Sequence, residues 1–170
     1  MIKRYGIIGC GMMGQEHLRN INLINDAIAY AIYEPNINMQ KMAKKLAPEA
    51  RFYDSLDKIL SDENIDCWLI VSPNHLHMDQ LEQLAGIPHR PILVEKPLFT
   101  EIKHLERIKN FSIKYSAPVW VAMEYRYMPP IAELIKRQNN VTGSTKMLSI
   151  REHRFPFLPK VDDWNRFNIN

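Results

Sequence analysis

The sequence predicts a doubly wound α/β fold: a parallel sheet with helices on both faces. Two observations carry that expectation. Between Tyr5 and Glu124, short apolar runs alternate with segments whose apolar residues fall at helical spacing. Several of the runs, such as "AIAYAIY" from Ala27 to Tyr33, are apolar throughout, as strands covered on both faces should be.

The elements follow in order. Tyr5 to Ile8 is a short strand that ends in glycines, and "MMGQEHLRNINLI" continues as a helix with a stripe through Met13, His17, Ile21 and Ile24. Pro35 and Asn36 close the strand that ends at Tyr33, and a helix follows from about Asn38 to Leu46. "PEARFYDS" holds a short strand, and Ser55 is placed to cap a helix over Leu56, Ile59 and Leu60. "DCWLIVS" is a buried strand stopped by Pro73, and a helical stripe runs from Leu76 to Leu84 until Gly86 and Pro88 end it. Pro91 to Glu95 is a strand, Glu101 to Tyr115 a long helix, and Val119 to Glu124 a further strand. After Tyr125 the texture changes. "MPPI" interrupts the chain, Ile131 to Arg137 forms a short helix, and "QNNVTGS" reads as a loop. "STKMLSIREHRF" has the partly alternating pattern of a sheet with one wetter face. Residues 1–128 are therefore expected to form one domain, and residues 129–170 the beginning of a second α/β domain.

Composition narrows the functional classes. Of the 170 residues, 46% are hydrophobic and 24% charged, as in ordinary globular domains. The formal charge of +3 comes without a basic block, which argues against nucleic acid. Cys10 and Cys67 are too few for a disulfide scaffold or a four-cysteine zinc site. His75 and His77 are two apart and do not share a helical face, so no metal site is expected. The apolar run near the N-terminus is broken by glycines, too short for a signal segment and far too short for a membrane span. The expected setting is cytoplasmic, with no membrane partner.

The chemistry starts at "GIIGCGMMG", where Gly9, Gly11 and Gly14 make the G-x-G-x-x-G pattern between the first strand and the first helix. Gly9 allows a tight turn, Gly11 lets the backbone approach a pyrophosphate, and Gly14 lets the helix pack closely. The helix opening at Met12 and Met13 then presents unpaired N–H groups to the phosphates. Glu34 ends the second strand, where such a fold places a carboxylate for the adenosine ribose hydroxyls. It would repel a 2′-phosphate, and no arginine stands beside it, so NAD is expected over NADP. In "VSPNHLHMD", Ser72, Pro73 and Asn74 form a turn at the sheet edge beside the dinucleotide. His77 opens the next helix, either packed and hydrogen-bonded or touching the cofactor.

Together with "VEKPL", "EYRYMP" and the late "DDWNRFN", these motifs stand in the order found in the glucose-fructose oxidoreductase and inositol 2-dehydrogenase-like family, which the chain resembles along essentially its whole length. The resemblance implies a Rossmann-type NAD-binding domain, then an α/β substrate domain whose open sheet is a route to homo-oligomers. It implies hydride transfer at a secondary hydroxyl of a polyol, sugar or cyclitol. Lys96 would hydrogen-bond the reacting hydroxyl and help move its proton, and Pro97 matches a proline that often follows a cis peptide bond. Glu95 stands either to orient Lys96 or as an acid at a strand end. Arg126 either contacts substrate or braces the domain junction. Trp164 and Arg166 lie near a tryptophan–arginine feature beside the nicotinamide, although Asn165 departs from the commonest adjacent pattern. The family's catalytic histidine, often with an aspartate one helical turn earlier, comes from beyond the "WNRFN"-like region, and His153 is not at that place. The expectation is therefore a dehydrogenase of which this chain lacks part of the catalytic site. The alternative is a non-catalytic NAD-binding or interaction protein.

Overall fold

A computed structural model describes residues 1–138 together with residues 143, 144, 146, 147, 149 and 151. The described elements are β1 (Lys3–Ile8), α1 (Met12–Ile21), β2 (Ala27–Tyr33), α2 (Ile37–Leu46), β3 (Arg51–Tyr53) and α3 (Leu56–Leu60). They continue with β4 (Cys67–Ile70), α4 (His77–Ala85), β5 (Ile92–Val94), α5 (Leu105–Lys114), β6 (Val119–Val121) and α6 (Pro129–Arg137). The six strands pair in the order β3-β2-β1-β4-β5-β6, every pair parallel.

That order places a topological switch point between β1 and β4. From β1 the chain winds one way to β2 and β3, and from β4 the other way to β5 and β6. Alternation along the strands builds two cores. Ile8, Ala31 and Ile70 point to one face with Ile59 of α3, Met78, Leu81 and Leu84 of α4, and Phe111 of α5. Ile7, Ile32 and Leu69 point to the other, with Leu18 and Ile21 of α1 and Ala43 of α2. A strand buried on both faces reads as unbroken apolar sequence, which is why β4 and the Ala31–Ile32 part of β2 were legible.

Local chemistry sets the boundaries. The Asn36 side chain accepts the N–H groups of Asn38 and Met39 at 3.0 Å, so α2 begins at Ile37. Ser55 accepts the Lys58 N–H at 3.3 Å and starts α3. Other expectations are revised. The α1 stripe is Gly14, Gln15, Leu18 and Ile21, whereas Met13 is exposed and Ile24 lies past the helix. The run after β6 is not strand: Glu124–Tyr127 is a 3₁₀ turn. Pro129 and Pro130 do not interrupt the chain but open α6, because a proline in the first turn lacks only an N–H that the helix leaves unpaired.

By its contacts the chain divides after Ala122 into two compact units. The first holds the complete six-stranded sheet with α1 to α5, and the second includes the 3₁₀ turn and α6. The alternating segment expected from Ser144 to Phe155 lies largely outside the described residues.

Candidate active site

A parallel sheet brings every strand's carboxyl end to one edge, and the polar residues singled out in the first unit converge there. Gly9 follows β1 with φ at +90°, and its N–H donates to the Tyr33 carbonyl of β2 at 2.8 Å. A Cβ on Gly9 would lie 2.6 Å from the Ser72 backbone, so the turn after β1 and the turn after β4 touch with no room for a side chain. A Cβ on Gly14 would meet the Gly9 carbonyl at 2.9 Å, which brings the start of α1 tight against the turn. Gly11 differs, since a Cβ there would meet nothing within 4 Å. It precedes α1, brings no side chain to cap the helix, and leaves the first-turn N–H groups at Met12 and Met13 facing an open edge.

Glu34, buried at the end of β2, turns its carboxylate into this loop. Its Oε2 accepts the Cys10 N–H at 2.5 Å and its Oε1 accepts the Asn36 N–H at 2.8 Å. Two N–H donors fix the carboxylate and leave lone pairs on both oxygens for further donors. Beneath it, burial and the Glu34 charge push the Cys10 thiol up to about 12, so Cys10 acts as a small apolar residue and not as a nucleophile.

The far side of the switch point is built around the exit of β5. Glu95 is buried, and its Oε1 lies 2.8 Å from Nε2 of His17 on α1. Its Oε2 accepts the Lys96 N–H at 3.2 Å. Burial raises the Glu95 carboxyl, but His17, together with the Lys96 N–H and charge, more than offsets it and holds the group below the usual range. The Lys96–Pro97 peptide is cis, and the Lys96 side chain is exposed. His77, fully buried, has Nδ1 2.8 Å from the Pro97 carbonyl and Nε2 3.0 Å from the Ser72 carbonyl. Burial pushes its imidazole below its usual range, although both carbonyls and the Glu95 charge favour the proton. His77 therefore ties the turn after β4 to the turn after β5. Ser72 further donates its hydroxyl to Gln80 of α4 at 2.5 Å, while Pro73 is exposed and Asn74 half-buried.

The structure thus brings together Gly9, Gly11, Met12, Met13, Gly14, Glu34, Ser72, Pro73, Asn74, His77, Glu95, Lys96 and Pro97. Arg126 is exposed in the 3₁₀ turn of the second unit, and Trp164, Arg166 and His153 lie outside the described residues. Sequence reasoning missed His17 as a partner of Glu95. The available signal was a histidine inside an otherwise apolar helical stripe. Among the described residues, no group of three His, Cys, Asp or Glu side chains is placed to hold a metal, and no helix is long and apolar enough to cross a membrane.

The sheet order, the glycine turn with its uncapped helix, and the carboxylate at the end of β2 define the dinucleotide-binding class of α/β proteins. Residues 3–123 match the family described as "Oxidoreductase family, NAD-binding Rossmann fold" (GFO/IDH/MocA), and the chain belongs to that family. It is 32% identical over 160 residues to inositol 2-dehydrogenase of Paracoccus denitrificans, covering 92% of this chain and 47% of that protein. It is 25% identical over 156 residues to glucose-6-phosphate 3-dehydrogenase of Bacillus subtilis, covering 89% of this chain and 42% of that protein. Among solved structures, myo-inositol dehydrogenase from Lactobacillus casei in complex with NAD(H) and myo-inositol superposes with a TM-score of 0.74 at 25% identity, over 81% of this chain and 41% of that one. The chain thus spans about half the length of the relatives it matches.

Proposed function

We propose that this chain is the NAD-binding part of a dehydrogenase that oxidises a secondary hydroxyl of a polyol, sugar or cyclitol, with Lys96 as its proton-transfer group. One observation carries the reading. An uncapped helix start, a fixed carboxylate at the end of β2 and an exposed lysine at the exit of β5 occupy one edge of a parallel sheet, around its switch point. The proteins it is similar to include inositol 2-dehydrogenases and a glucose-6-phosphate 3-dehydrogenase, which supports the substrate class.

The residues divide the task. The first-turn N–H groups of α1 bind the diphosphate, where Gly11 leaves the approach open. Glu34 accepts the adenosine ribose hydroxyls on its remaining lone pairs and disfavours a 2′-phosphate. NAD, when bound, supplies the hydride acceptor. The Lys96 amine, in its neutral form, accepts the proton of the substrate hydroxyl, and the ammonium so formed faces the oxygen and favours the negative charge left on it. His77 and Glu95 hold the backbone on either side of the lysine. Arg126, Trp164 and Arg166 are proposed to add contacts at the nicotinamide and substrate end, and residues 129–170 to begin a second domain.

The test is calorimetric titration of the chain with NAD and NADP. NAD is expected to bind more tightly, and Glu34→Ala to remove the preference. Equal affinities in the parent chain, or tighter NADP, would overturn the assignment of Glu34. In a form of the protein that turns over a polyol, Lys96→Met is expected to lower single-turnover NAD reduction by roughly 10²–10⁴-fold while NAD affinity stays near the parent value.

A further inference from the structure

Two histidines from different helices hold the residues on either side of Lys96. After it, the Pro97 carbonyl meets the buried His77. Before it, the Glu95 carboxylate spans His17 on α1 and the Lys96 N–H. Glu95 is only 7% exposed, and a carboxylate so placed is costly unless it is paired. Three titratable groups face it: His17 from α1, its neighbour Lys96, and His77 at the start of α4. Two of them can engage it, the His17 imidazole through a ring N–H and the Lys96 amine one residue along. The geometry gives the carboxylate to His17, at 2.8 Å, and the Lys96 amine makes no ion pair among the described residues.

We infer that His17 is a positioning residue: by engaging Glu95 it keeps the carboxylate from capturing the Lys96 amine, which stays free to exchange a proton with a substrate hydroxyl. The inference rests on the reading of Lys96 as the proton-transfer group. His17 lies one helical turn beyond Gly14, on the helix whose N-terminus faces the dinucleotide phosphates. One rigid helix therefore both presents the phosphate-binding N–H groups and sets the electrostatic state of the lysine. Without His17, the cation whose charge already bears on Glu95 is that lysine. An ion-paired ammonium holds its proton more firmly.

The experiment is competitive acetylation of the 170-residue chain with limiting acetic anhydride at fixed pH. The Lys96 rate is read by peptide mass spectrometry against the other lysines as internal references. His17→Phe is expected to slow Lys96 about tenfold, the effect of one unit in the amine's proton affinity, and to leave the other lysines unchanged. His17→Gln, which keeps an N–H donor for Glu95, restores the parent rate, and so does Glu95→Gln in the His17→Phe background, where no carboxylate remains to capture the amine. His17→Asn, too short to reach Glu95, gives the same fall without apolar bulk and decides the matter should His17→Phe not fold. A parent-like Lys96 rate in folded His17→Phe or His17→Asn overturns the proposal, as does a slow rate that persists when Glu95 is also Gln. The readout needs neither cofactor nor turnover. An active Lys96→Met enzyme would sink the proton-transfer reading while leaving the His17–Glu95 coupling to be judged by these rates alone.

Discussion

At Gly9 the backbone stands at φ +90° and the missing Cβ would strike the turn after β4, whereas at Gly11 the missing Cβ would enter open space. Two glycines of one motif thus answer to different constraints, the first to the fold and the second to a ligand. Gly9→Ala must bear a left-handed backbone and a collision with the Ser72 backbone, and is expected to lower the urea midpoint of unfolding severely. Gly11→Val is expected to change stability by no more than about 1 kcal/mol, as other N-cap replacements do, while abolishing NAD binding by calorimetry. A Gly11→Val chain that binds NAD like the parent would remove the phosphates from this turn. The spacing of the glycines was legible in the sequence. Their division of labour was not, because it depends on β4, some sixty residues away along the chain.

Elements were legible wherever local chemistry decided them. Asn36 and Ser55 each stand before an apolar stripe and each caps a helix. Asn36→Ala leaves two first-turn N–H groups without their acceptor and is expected to cost about 1 kcal/mol, read from the urea midpoint at constant slope. Pro129 and Pro130 were misread because a proline pair means either a break or a helix start, and only the turn before it says which. Gly6 gave no sequence signal at all, lying inside an apolar strand. A Cβ on it would come within 2.7 Å of Ile65 and the Trp68 ring, so a glycine in β1 is what lets the largest fully buried side chain lie across the sheet. Gly6→Val is therefore expected to destabilise by roughly 1–3 kcal/mol, the usual range for overpacking a core. Spectroscopic unfolding monitored by tryptophan fluorescence measures it. A variant as stable as the parent would show that Ile65 and Trp68 can move aside.

For the whole molecule, two sets of titratable groups, one of them in the site and the other extending outside it, make stability fall with acid in two stages. His77 has its folded pKa depressed by burial, so its contribution is present above about pH 6.5, the unfolded value, and is lost as pH falls toward the folded value. Glu95, Asp62 and Asp66 are also depressed: burial opposes the shift at Glu95 and Asp62, where hydrogen bonds prevail, and the Arg4 hydrogen bond leads it at Asp66. Their contribution is present above about pH 4 and is lost below it. Urea midpoints across that range are expected to show both steps, and His77→Gln to erase the upper one alone. Because the complete sheet lies in the first unit, a chain ending at Ala122 is expected to unfold cooperatively and still to bind NAD, more weakly than the parent for want of the contacts proposed for Arg126, Trp164 and Arg166. Circular dichroism and calorimetry test this, and an affinity equal to the parent's would remove those three residues from the dinucleotide site. The sequence by itself determined the α/β class, the order of its strands and helices, the glycine turn and the acid at the end of β2, because each is written in neighbouring residues through periodicity, capping and backbone freedom. Only the tertiary structure decided that Glu95 belongs to His17, that His77 joins two turns, and that Gly6 yields to Trp68. Those pairings join residues far apart in the chain, and parallel strand order with burial, not local pattern, selects them.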